Sequence, residues 1–102
     1  KYTAAHSLST PTTFRLESFR LYTEGSPFAI NFTIDLNLNG SSVASYLMVV
    51  GSGSTEGTLP LLVYTAATMT MGDVVDITIT PGAGPSQQWM VDSSALVFYN
   101  QL

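Results

Sequence analysis

Trp89 is the sole tryptophan of the chain, and it directly follows two amides, Gln87 and Gln88, at the end of a Gly/Pro-rich segment. An exposed indole beside side-chain amides can stack on a sugar ring and hydrogen-bond its hydroxyls, by the logic that enriches Trp and Tyr at recognition surfaces. The competing reading is a tryptophan that seals a core or an interface. Loops on a rigid β scaffold carry recognition, which adds segments 51–57, with Glu56, and 81–88. The candidate ligand-binding residues are therefore Trp89, Gln87, Gln88 and Glu56. Asp73 and Asp76 flank a Gly72-Asp73 turn. They could share a calcium ion with loop carbonyls, or be a turn aspartate and a solvent-facing strand aspartate.

Catalytic constellations are hard to assemble. His6 is the only histidine and has no partner spaced near it. Cysteine is absent, which removes disulfides, thiolate zinc sites and cysteine nucleophiles. The serines include no Gly-x-Ser-x-Gly elbow, and no phosphate loop or dinucleotide fingerprint is present. Besides Asp73 and Asp76 only Glu17, Glu24, Asp35, Glu56 and Asp92 remain for a glycosidase-type pair, which needs two carboxylates held across a cleft. The expectation is a non-enzyme without a cofactor.

Composition bounds the class. A chain of 102 residues reads as one domain. Charged residues make up 10% and hydrophobic ones 45%, the reverse of a disordered chain. Thr (13) and Ser (12) replace the missing charge. The net charge is −4, and Lys1, Arg15 and Arg20 cannot form a basic patch, so nucleic acid is not an expected partner. No apolar run is long enough for a membrane-spanning helix. The chain opens on Lys1 rather than Met, as an excised piece of something longer would. So apolar a chain must also place its greasy surface somewhere.

The elements that would position these residues read as strands. Phe28, Ile30, Phe32, Ile34, Leu36 and Leu38 occupy every second position, the pattern of a long strand with one buried face. Asn39-Gly40 follows, the signature of a two-residue type I′ hairpin. A regular hairpin then sets Leu36 opposite Val43, Ile34 opposite Ser45, Phe32 opposite Leu47 and Ile30 opposite Val49. That register leaves Tyr46, Met48 and Val50 on the outer face, too apolar for open solvent. Further strands are expected over 61–64, over 67–71 (Ala67, Met69, Met71), over 75–79 (Val75, Ile77, Ile79), near Trp89–Val91 and over 94–102. Phe14 and Leu16 differ in parity from Phe19 and Leu21, which asks for a bulge or break near Ser18, or for one helical turn. Residues 1–12 read as an arm or linker and 13–102 as the folded domain. Short strands with Gly, Pro and Asn punctuation predict an all-β antiparallel sandwich or jelly roll.

Three stretches carry a family likeness. Leu36 to Ser45, with its Asn-Gly turn and Val-Ala-Ser strand, Ala67 to Ile77, with its Gly-Asp turn, and Ser93 to Tyr99 together resemble the tumour-necrosis-factor and complement globular-head superfamily in its viral, phage and bacterial branches. The usual Phe-Ser-Gly core of the terminal strand is Ala-Leu-Val here, and the first 27 residues match nothing distinctive. The resemblance implies a TNF-like jelly roll assembled as a homotrimer at the tip of a virion or cell-surface fibre, outside the cell. Its partner would be a cell-surface receptor, such as a glycan, bound without catalysis or membrane insertion. Tyr46, Met48 and Val50, with Tyr99, would line the three-fold interface. A monomeric carbohydrate-binding module and a structural coat protein are the alternatives.

Overall fold

The computed structural model describes residues 1–24, 28–82 and 89–100, with the backbone alone at 92, 93 and 95–100. Gln87 and Gln88 lie outside the described residues. The described residues form eight strands: β1 (Tyr2–Thr3), β2 (Thr12–Thr23), β3 (Ile30–Leu38), β4 (Ser41–Val50), β5 (Glu56–Leu59), β6 (Leu62–Ala66), β7 (Val74–Pro81) and β8 (Trp89–Asn100). No helix occurs among the described residues. The fold is all-β, and every strand pairing is antiparallel. One sheet has the order β1-β7-β3-β4. In the other, β2 is the spine: β8 runs along one side, and β6 and β5 lie end to end along the other. The two inner faces share one core, an arrangement compatible with a β-sandwich.

The alternating run produces β3 as expected from Ile30 onward, with Ile30, Phe32, Ile34 and Leu36 buried. Phe28 lies before the strand and is exposed. Asn39 and Gly40 both have positive φ, 52° and 82°, as a type I′ turn requires.

The register beyond that turn corrects the expectation. Leu38 faces Ser41 and Asn37 faces Ser42, but Leu36 then faces Ala44, so Val43 is an extra residue on β4. One bulged residue moves every later side chain to the other face. Ile34 faces Tyr46, Phe32 faces Met48, and Ile30 faces Val50. Met48 and Val50 are core residues, 2% and 1% exposed, while Leu47 and Val49 point outward, 58% and 55% exposed. Tyr46 is half-buried against the same core.

Ser18 resolves the parity conflict in β2. It has φ 54°, and the pairing with β8 shifts between Glu17 and Arg20. Phe14, Leu16, Phe19 and Leu21 all reach the core as a result. Three other expectations change. Residues 67–71 form no strand: only Met69 pairs, in a single bridge to Leu8, and the chain turns at Gly72 (φ 95°). The segment 51–57 ends in β5 rather than in a loop, so Glu56 is a strand residue. Trp89–Val91 and the terminal run are one continuous strand along β2. The N-terminal segment is docked: β1 pairs with β7, Ala4 is buried, and Leu8 and Met69 exchange backbone hydrogen bonds of 2.8 and 2.9 Å.

Candidate functional site

Trp89 opens β8 where β2 closes, and Thr23 is its cross-strand partner. The end of β2 is held by Thr23, whose N–H donates to the Thr55 carbonyl (2.9 Å) and whose hydroxyl donates to the Glu24 carbonyl (3.0 Å). The indole meets Phe32 edge-on, with ring centroids 5.7 Å apart and planes at 64°. One side of Trp89 is therefore seated on the core. It still keeps 37% of its surface exposed. The core-sealing and ligand-facing readings are thus not exclusive, because the core contact holds the exposed part in one orientation.

That exposed part borders an open depression of about 410 Å³ lined by Tyr22, Thr23, Glu24, Trp89 and Met90. Tyr22 and Met90 are direct cross-strand neighbours, and Glu56 lies opposite Tyr22 on its other side. Glu56, a candidate from the sequence, is thus in the right row but engaged elsewhere. Its Oε1 accepts from Arg20 Nε (2.8 Å) and Nη2 (2.6 Å). Glu24 takes the place at the depression that Glu56 was expected to fill. Only its nearness to the end of β2 could have marked it, and that end is not visible without the structure. Tyr22 and Met90 were missed for a similar reason: their pairing depends on the shift at Ser18.

The arrangement offers two aromatic rings, a thioether, two hydroxyls and a carboxylate. This set can stack on a ring and accept hydrogen bonds from hydroxyls. His6 is remote from it. It lines a separate cavity of about 90 Å³ with Tyr2, Ala4, Leu8, Thr12, Phe14 and Met69, at the opposite end of β2.

Asp73 and Asp76 have structural partners. Asp73 Oδ2 accepts from the Thr70 N–H (2.8 Å) and Oδ1 from Asn39 Nδ2 (3.0 Å). Asn39 Oδ1 in turn accepts from the Val74 N–H (2.9 Å). The carboxylate thereby ties the 70–73 turn to the hairpin turn. Asp76 Oδ1 accepts from the buried Asn37 amide (3.1 Å), which also donates to Thr78 Oγ1 (2.7 Å). Among the described residues no group of three His, Cys, Asp or Glu could hold a metal ion.

The Thr70 N–H, then the Asn39 amide, hold the Asp73 carboxyl below its ordinary value. A lowered folded-state pKa contributes stability above the unfolded value, near 3.9, and that contribution is lost as pH falls through the lowered one. Asp73→Asn is therefore expected to melt below the parent at neutral pH, with the gap narrowing as pH drops below about 4. Melting curves of both chains across that range test this; a gap of constant size would show that the charge is not what the turn uses.

Compared with known proteins, the chain matches no family model, no curated protein and no solved structure.

Proposed function

We propose that this chain is a non-catalytic recognition head of jelly-roll type, displayed outside the cell on a virion, phage or bacterial surface fibre. It binds a cell-surface receptor through the end of the sheet where Trp89 sits. The observation that carries this reading is the half-exposed Trp89, fixed edge-on to Phe32 and facing the Tyr22–Met90 depression. A rigid aromatic with hydroxyl and carboxylate neighbours suits a glycan. The resemblance to TNF-like heads supports the setting, and the two antiparallel sheets are compatible with it. The reading does not require the three-fold interface expected at Tyr46, Met48, Val50 and Tyr99. Met48 and Val50 are closed inside the core, and of Tyr99 the structure describes only the backbone, opposite Thr13.

A glycan array probed with the purified chain tests the proposal. Binding should be retained by Trp89→Phe and weakened about 30-fold or more by Trp89→Ala, the effect of losing a hot-spot aromatic. Met90→Ala, at an exposed position, weakens binding without disturbing the core, which separates contact from folding. Bound glycan should be recovered unchanged. No glycan binding, or binding indifferent to Trp89 and Met90, would overturn the proposal.

A further inference from the structure

Strand β4 ends its sheet, and among the described residues it pairs with β3 alone. An edge of this length normally carries a device against pairing with another chain: a lysine, a proline, an inward charge or a bulge. Ser41–Val50 contains no charged residue and no proline. Its one bulge, at Val43, lies close to the hairpin turn, so 44–50 is a regular, uncharged edge.

The direction of its backbone groups follows from β3. Gly82 donates to the Asn31 carbonyl (2.7 Å), so the backbone of Asn31 faces β7. Its opposite neighbour Val49 therefore turns its own N–H and C=O away from β3. Alternation along the strand gives Leu47 and Ser45 the same direction. The residues with outward backbone groups thus include the two whose apolar side chains are exposed, Leu47 and Val49.

We propose that β4 is the docking edge for a second copy of this chain, paired antiparallel about a two-fold axis at Met48. In that register Leu47 of one copy exchanges both backbone hydrogen bonds with Val49 of the other, and the reverse pair does the same. The four side chains then form one apolar cluster on the outer face of a continuous eight-stranded sheet. Self-association is favoured over a foreign strand because the edge is self-complementary: its apolar residues fall opposite each other, and it holds no charge to repel its own copy.

Sedimentation of the full chain at rising concentration should show a monomer–dimer equilibrium. Leu47→Lys with Val49→Lys in one chain sets like charges opposite one another and should weaken the dimer by at least about tenfold. Mixing that variant with a Leu47→Glu, Val49→Glu chain should restore a heterodimer. Val63→Lys, exposed on the other sheet, should leave dimerisation unchanged. Hydrogen exchange on the unsubstituted chain reports independently of any variant: the Leu47 and Val49 amides should gain protection as concentration rises. A chain that stays monomeric, a trimer, or a dimer whose Leu47 and Val49 amides exchange freely would overturn the proposal.

Discussion

Phe32→Ala is expected to remove about 3–5 kcal/mol of folding stability. Phe32 is 1% exposed, on a strand held by β4 on one side and β7 on the other, with Met48 and Pro81 as its lateral partners. Truncation loses the transfer free energy of the ring and leaves a cavity that two anchored neighbours cannot close. Against a total of about 5–15 kcal/mol for a small domain, that is a large share. Urea unfolding should show a lower midpoint at unchanged slope. Because Trp89 packs against this ring, indole emission should shift to the red in the folded variant. A loss below about 1 kcal/mol would mean that the ring does not pack as described.

Gly57→Ala is expected to cost about 1–3 kcal/mol, although it adds a single methyl group. A Cβ at Gly57 would stand 2.6 Å from Met48 Sδ, 2.9 Å from Val50 Cγ2 and 3.1 Å from Met48 Cγ. A methionine terminus can often swing away, but this one is buried, and the β-branched Val50 has little rotamer freedom. The backbone of β5 is thus laid directly on the inner face of β4. Trimming the obstacle should recover part of the loss: Gly57→Ala combined with Met48→Val should be less destabilised than the two single effects added. Strict additivity, read from three denaturation curves, would show that these positions do not press on each other.

The Gly57 contact also explains which parts of the fold were legible in the sequence. Strand β3 was, because its alternation is clean, and the Asn39-Gly40 turn was, because two consecutive positive-φ residues fit few other roles. The irregularity at Ser18 was foreshadowed by the parity change between Leu16 and Phe19. The register of β4 was not. From Tyr46 to Val50 the strand is apolar on both parities, so either face could have been the buried one. The choice is made by the bulge at Val43 and by packing between the two sheets, in which β5 presents a glycine to Met48 and Val50. Residues 67–71 misled for a related reason. Ala67, Met69 and Met71 alternate, yet Asp73 captures the Thr70 N–H and bends the chain. The candidate site was half legible: Trp89 stood out by type, but Tyr22, Glu24 and Met90 are gathered by pairings that short-range pattern does not encode.

The spine position of β2 bears on the order in which the molecule can assemble. Thr12 pairs with Ala66 on one side and with Asn100 on the other, so neither flank of the strand is satisfied by nearby sequence. Closing contacts across such spans costs loop entropy before any burial compensates for it. During synthesis, β3 and β4 can zip locally through their two-residue turn, whereas β2 keeps one bare side until residues 89–100 have emerged. Until then the nascent chain carries a twelve-residue strand with one side unpaired, and in that interval the strand is most open to pairing with the wrong neighbour.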